Sequence, residues 1–163
     1  MDSYVPLHVH SHMGSVLDSM VKVTREGRGK PCLLQERAKE LGINAIALTD
    51  HGSMAGIVSH YKTCKEYGTK PIIGLEAYVT SDLNVKDATS KYHHLILLAK
   101  DNEGYRNLKE LSTIGYLDGF YRKPRIDFKT LKQHSKGLVC MTACLAGELP
   151  RMINSDDYDD NEA

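Results

Sequence analysis

The sequence predicts an α/β barrel built on parallel strands, and three observations predict it. Short apolar runs alternate with segments of helical spacing along most of the chain, the pattern of strands buried on both faces and crossed over by helices. Residues able to ligate metal recur at the ends of those runs, namely His8 and His10, Asp50 and His51, Glu76, and Cys144. In a barrel such ends converge on one site. Neither a GxGxxG nor a Walker A pattern is present, so an open nucleotide-binding sheet lacks its usual signature.

The elements follow in order. Residues 4–10 (YVPLHVH) alternate apolar and polar and predict a short strand. Residues 24–31 (TREGRGKP) read as a surface loop. Residues 32–42 (CLLQERAKELG) have helical spacing and end on Gly42, a residue suited to the position just past a helix. The run NAIALTDHG from Asn44 is apolar and closes in a turn, a buried strand. A helix from Met54 to Tyr67 stops at Gly68, and KPIIGLEAYV and HLILLAK are the next strands. Asp101 or Asn102 caps a helix over NEGYRNLKELSTIGYL. The loop GFYRKPRI leads to a short helix opened by Asp127, and GLVCMT is the fifth strand. His94 fits the strand-end rule poorly, because it precedes its apolar run.

Composition limits what these elements can form. The chain has 163 residues, 41% hydrophobic and 26% charged, which suits one globular domain. Its 21 basic and 21 acidic residues cancel, so no whole-chain field demands nucleic acid or a membrane. No apolar run approaches the roughly 18 residues of a membrane-spanning helix. The opening MDSYVPLHVHSH lacks the basic and apolar regions of a secretory signal. Four cysteines, Cys32, Cys64, Cys140 and Cys144, make no disulfide scaffold and fit a reducing cytosol. Charge is nevertheless uneven. Arg122, Lys123, Arg125, Lys129, Lys132 and Lys136 face only Asp127 in their stretch, and the end from Asp156, DDYDDNEA, is acidic. The basic stretch reads either as a solvated surface or as a track for phosphates, with Arg122, Lys123 and Arg125 the candidate DNA contacts.

The chemistry lies in the polar residues at strand ends. His8 and His10 are two apart, so on a strand both imidazoles point to one face, as metal ligands or as an ordinary polar face. Asp50 and His51 follow a buried strand, where they supply a ligand with its partner, a general base, or a hydrogen-bonded turn. Glu76 stands inside an apolar run, where a carboxylate is costly unless it is bound to metal or paired with a cation. Of His93 and His94, strand alternation turns one inward. Cys144 is placed either to ligate or to fill space, and Asp18 either to ligate or to cap a helix. Taken together, imidazoles, carboxylates and a thiol at successive strand ends indicate a metal cluster. This donor set suits zinc, manganese or iron rather than calcium. Several such ions with a bridging carboxylate point to phosphate-ester hydrolysis by activated water.

The blocks LHVHSHMGSVLD, AIALTDHGSMAG, KPIIGLEAYV, HHLILLAKDNEGYRNLKELS, GFYRKPRID and GLVCMTACLAGELP, in this order, resemble the metal-binding PHP domain of bacterial-type DNA polymerase III α subunits. The resemblance runs nearly end to end, interrupted mainly at residues 20–31 and 81–92. It implies a distorted (β/α)7 PHP barrel holding up to three divalent metal ions. The implied metal ligands are His8, His10, Asp18, His51, Glu76, His94 and Cys144, with Glu76 bridging and Asp50, His51 and Glu76 at the catalytic centre. Ser19 departs from the glycine usual after the aspartate, which affects a turn. The family's closing Asp-x-His pair and its polymerase domains have no counterpart here. The barrel is therefore expected to be incomplete, with residues 1–155 forming the domain and 156–163 starting a helix that continues in a parent protein. The implied function is a metal-dependent 3′–5′ exonuclease or phosphoesterase attached to a DNA-directed DNA polymerase, acting in replication in the cytoplasm. Its partners are then DNA, the remaining polymerase domains or a second chain, and other replisome subunits. Two other functions fit the same resemblance: a structural module that stabilises the polymerase or docks a separate exonuclease, and a small-molecule phosphoesterase.

Overall fold

The computed structural model describes residues 4–13 and 33–155; Asp18 and the acidic tail 156–163 lie outside the described residues. Five helices and five strands occur in these segments: α1 (Leu33–Glu40), β1 (Ala45–Leu48), α2 (Ile57–Tyr67), β2 (Lys70–Thr80), β3 (His93–Ala99), α3 (Asn102–Leu117), β4 (Arg125–Asp127), α4 (Phe128–Gln133), β5 (Leu138–Met141) and α5 (Glu148–Ile153). Helix α2 ends at Gly68, whose φ of 75° places it in the left-handed region that glycine adopts without penalty. Helix α3 is opened by Asp101, whose carboxylate accepts from the Gly104 amide at 2.9 Å. Its buried positions Gly104, Leu108, Leu111 and Gly115 follow helical spacing and lie against the sheet. A side chain at Gly104 would meet the Gly137 carbonyl at 1.9 Å, so only glycine lets the loop before β5 close on the helix.

The sheet runs β1-β2-β3-β5, with β4 also paired to β2. Strand β2 is long enough to take β1 along residues 70–73 and β4 along 78–80 on one edge, with β3 on the other. The expectation of an all-parallel sheet is corrected here. Strand β3 runs antiparallel to both β2 and β5. The cause is the connection from β2 to β3, residues 81–92, which forms turns and no helix. A parallel return needs a crossover, usually a helix, and a chain without one folds back beside the strand it has left. The sheet is mixed and, among the described residues, not closed into a barrel.

Three smaller expectations also change. Residues 4–10 are extended but are not a paired strand. Their main chain meets β1 and the residue after it where the Pro6 carbonyl accepts from Ala47 and the Val9 carbonyl accepts from Thr49, and proline at position 6 has no amide to continue a ladder. The loop GFYRKPRI contributes its end to β4, and α5 has no counterpart among the predicted elements.

Side chains alternate between the two faces of β2, and both faces are buried from Gly74 to Thr80. Leu75, Ala77 and Val79 pack with Leu97, Leu108, Leu111 and Ile126 under α3, while the opposite face, with Ile72, joins Ala47, Ile96 and Leu98. Behind β1 a buried polar group ties α1 to α2. Gln35 faces His60 Nδ1 at 3.0 Å, and His60 Nε2 faces the Ile46 carbonyl at 3.2 Å. Both side chains are fully buried. Burial pushes the His60 imidazole down to about 4 despite the hydrogen bond to Ile46.

Candidate metal centre

Glu76 lies midway along β2 on the face shared with Ile72 and Tyr78, and its side chain is 1% exposed. Both edges of the sheet bring ligand-type residues to it through main-chain bonds. On one edge the turn after β1 continues the parallel register: the Glu76 amide donates to the Asp50 carbonyl at 3.1 Å, and the Gly52 amide donates to the Glu76 carbonyl at 2.8 Å. This sets His51 opposite Glu76. On the other edge Tyr78 pairs with His94, so His94 sits at the start of β3 beside the end of β2. The poor fit of His94 to the strand-end rule is thereby explained, because a reversed strand presents its first residues where parallel strands present their last. The His94 amide in turn donates to the Ala146 carbonyl at 3.0 Å, which holds the loop carrying Cys144 across the site.

The N-terminal segment is pinned on both sides of His10. The Val9 amide donates to Thr49 Oγ1 at 3.0 Å and the Thr49 hydroxyl donates to the Val9 carbonyl at 3.1 Å. The Ser11 amide and hydroxyl donate to the two oxygens of Asp50 at 2.6 and 2.8 Å. His8 and His10 therefore project to one face, as their spacing predicts.

Four imidazoles converge on the single carboxylate. Glu76 Oε2 lies 3.0 Å from His8 Nε2, 2.9 Å from His10 Nε2 and 3.2 Å from His51 Nδ1, while Oε1 lies 2.8 Å from His94 Nδ1. Cys144 Sγ is 3.6 Å from His94 Nδ1 and 4.0 Å from Glu76 Oε1. The rings of His10 and His51 stack at 4.3 Å, and His8, at 30% side-chain exposure, marks the open side. Burial alone would raise the Glu76 carboxyl, but hydrogen bonds with His10 and His94, the charge of His51 and the hydrogen bond with His8 outweigh it and hold the group well below the usual carboxylate range. Asp50 behaves oppositely: burial pushes its carboxyl up in spite of the Ser11 hydrogen bonds.

The donor chemistry fits divalent metal. His8, His10 and Glu76 form one group, and His51, Glu76 and His94 a second, each with ligand atoms within 4.8 Å of one another. Glu76 belongs to both groups, with Oε2 facing His8, His10 and His51 and Oε1 facing His94, and a carboxylate shared in this way can bridge two ions. Neutral imidazole, carboxylate and thiolate are the donors zinc and related ions accept.

The six predicted ligands within the described residues, His8, His10, His51, Glu76, His94 and Cys144, are thus brought together. Asp50 supports the site through Ser11. Arg125 is a correction: it is fully buried, and its guanidinium donates to the Gly119 carbonyl at 3.0 Å, to the Val85 carbonyl at 3.1 Å and to Ser90 Oγ. It cannot reach a DNA phosphate. Arg122 and Lys123 are exposed. Sequence reasoning missed Ser11 and Tyr78. Tyr78 stands two residues beyond Glu76 on the same face, with its ring 5.9 Å from His51 and 5.1 Å from His94, so strand alternation would have found it.

The sequence has known relatives. DNA polymerase III subunit alpha of Chlamydia muridarum is 46% identical over 151 residues, covering 90% of this chain and 12% of its own length. The corresponding subunit of Helicobacter pylori strain 26695 is 43% identical over 95% of this chain, and that of Aquifex aeolicus 44% identical over 88%. The chain spans about an eighth of the length of these relatives, 12% in each case. Among solved structures, an amidohydrolase from Chromobacterium violaceum shares 19% identity at a TM-score of 0.36, over 69% of this chain and 37% of that one. The PHP-domain family profile matches residues 6–163, and the chain belongs to the PHP domain family.

Proposed function

We propose that this domain is the metal-dependent phosphoesterase of a replicative DNA polymerase polypeptide and trims DNA 3′ ends. The observation that carries the reading is Glu76, one buried carboxylate shared by two groups of imidazoles, with His8, His10 and His51 at Oε2 and His94 at Oε1. His8, His10, His51, His94 and Cys144 would hold the ions with it. Asp18 and an Asp-x-His pair from further polypeptide would complete the ligand set for up to three zinc, manganese or iron ions. That further polypeptide also closes the sheet toward a distorted (β/α)7 barrel, with residues 1–155 as its first part. When bound, the ions supply Lewis acidity toward the phosphate and activate water.

The chain's own residues do the rest. Glu76 keeps its negative charge in a buried position and fixes the spacing between the two imidazole sets. His51, continuous with the β1–β2 register, holds its ring against Glu76, and the Gly52 turn behind it packs on Pro124 and Tyr78. Asp50 acts through Ser11, fixing the main chain next to His10; it is a positioning residue. Similarity to polymerase subunits supports DNA as substrate, the other polymerase domains and replisome subunits as partners, and a cytoplasmic location. No helix among the described residues is long and apolar enough to cross a membrane.

The test uses the full-length protein loaded with manganese or zinc. Single-stranded and mismatched primer 3′ ends are compared with small phosphomonoesters, with and without chelator. Chelator-sensitive trimming of DNA ends, with phosphomonoesters poor substrates, is the expected result. Bound metal without hydrolysis favours a structural module, and preference for phosphomonoesters favours a small-molecule enzyme.

A further inference from the structure

The loop between α3 and β4 packs on the turn that carries His51 and bears two exposed cations, Arg122 over the Tyr121 ring at 5.3 Å and Lys123 over the Tyr78 ring at 5.4 Å. Strand β4 pairs with Tyr78–Thr80 at the end of β2, on the edge that also carries β1, so the residues leading into it arrive beside His51 and Gly52. The loop is anchored from within by Arg125, whose guanidinium donates to the Gly119 carbonyl at 3.0 Å and the Val85 carbonyl at 3.1 Å. It is also seated on the ligand turn. A side chain at Gly52 would meet Pro124 Cγ at 2.6 Å and Tyr78 Cε2 at 2.9 Å, so Pro124 packs directly on the residue after His51. The tip is tight: the Tyr121 amide donates to the Lys123 carbonyl at 3.1 Å, and Arg122 between them has φ 60°. A non-glycine residue in that region is held there against its preference, and such positions gather at ligand clamps.

This geometry presents charge to the centre. Lys123 Nζ lies 5.4 Å from the Tyr78 ring centre, and that ring is 5.9 Å from His51 and 5.1 Å from His94. One aromatic ring separates the ammonium from two imidazoles of the cluster. Among the described residues neither Arg122 nor Lys123 has a carboxylate partner. Lys136 pairs with Glu103 at 3.1 Å and Arg37 with Glu40 at 2.8 Å. Of the acids nearest in sequence, Asp127, four residues after Lys123, accepts from the Thr130 amide at 2.7 Å and caps α4, and Asp118, four residues before Arg122, ends α3.

We propose that Lys123, with Arg122 beside it, grips a phosphate of the DNA strand whose 3′ end lies at the metal centre. The inference rests on the DNA-end reading above and assigns it a strand-holding residue. A compact ammonium on a flexible stem suits a phosphate as a point charge. The Tyr78 ring steers that stem toward the cluster. Arg125, taken up by carbonyls, fixes the loop and leaves the strand to its two exposed neighbours.

The experiment uses the full-length metal-loaded protein and a single-stranded oligonucleotide with a free 3′ end. Binding is followed by fluorescence anisotropy over a salt series, and trimming by KM and kcat. Lys123→Met lowers the slope of log affinity against log salt by about 0.7, the value for one phosphate contact on a single strand. It raises KM about tenfold with kcat within about twofold, as expected when a charged contact to bound substrate is lost. Lys123→Arg restores both. Lys109→Met removes a similar lysine, 5.0 Å over the Tyr105 ring on α3, and leaves both unchanged. An unchanged slope and KM in Lys123→Met overturns the proposal, as does an equal loss in Lys109→Met or a failure of arginine to rescue. The slope needs no turnover, so a protein that trims nothing yet shows the Lys123 slope change refutes the nuclease reading and keeps the phosphate contact.

Discussion

Two regions of this chain bury histidine, and they solve opposite problems. Behind β1, His60 is one imidazole among neutral partners, with the Ile46 carbonyl at one nitrogen and Gln35 at the other. Burial drives it toward the uncharged form, and the surroundings accept that form fully. At the ends of β1, β2 and β3 four imidazoles face a single carboxylate. There the charge is kept, held by the hydrogen bonds and charge of the imidazoles around it. A histidine placed for structure thus finds main chain and amide. Histidines placed to ligate crowd one another around an anion.

The sharpest break in this comparison is Glu76→Ala set against His60→Gln. Loss of Glu76 removes a donor from both imidazole groups, and 3′-end trimming by the full-length protein should fall by more than about 100-fold. His60→Gln should keep trimming per folded molecule and lower stability instead. If the two variants lose activity alike, the division between the regions is wrong.

His8 and His10 sharpen the ligand side. Both address Glu76 Oε2, so either alanine substitution should remove most activity and the double variant should add little, as expected of residues acting as a unit. Mild and additive losses would make them ordinary polar residues.

Acid acts first on the structural side. With a folded value of about 4 against 6.5 unfolded, His60 takes up a proton more readily in the unfolded chain. Its contribution is therefore complete above pH 6.5 and is lost as pH falls from 6.5 to 4, amounting to roughly 3 kcal/mol. Hydrogen exchange of α1 and α2 amides in the full-length protein, corrected for intrinsic rate, should show protection falling across that window. His60→Gln should flatten the dependence, and an unchanged acid limb in that variant would remove His60 as the cause.

The smallest expected effect is Ser11→Ala. Ser11 would lose its hydroxyl contact with Asp50 but keep the amide one, so metal affinity should weaken by no more than about tenfold. A loss as large as that of Glu76→Ala would place Ser11 among the ligands themselves.

The site was more legible in the sequence than the fold. Glu76 announced itself because a carboxylate inside IIGLEAYV is costly without a counter-group, and His8 and His10 because residues two apart on extended chain share a face. Strand direction was hidden: HLILLA is as apolar as a parallel strand, and burial has the same period in either direction. The cue lay in residues 81–92, whose Asp, Asn and Ser content forms turns in place of a crossover helix. Arg125 was misread because a charge pattern does not reveal which guanidinium turns inward to carbonyls. Ser11 and Asp50 were legible only as a polar residue and a turn, since their pairing spans 39 positions.

The measurement that bears most directly on the central claim is the metal content of full-length protein after equilibrium dialysis, wild type against Glu76→Gln. Glutamine keeps the shape of the side chain and removes the anion that both imidazole groups share. The bridging account predicts a wild type that retains divalent metal and a variant that loses most of it while staying folded. A Glu76→Gln protein with the full metal content of the wild type would contradict it.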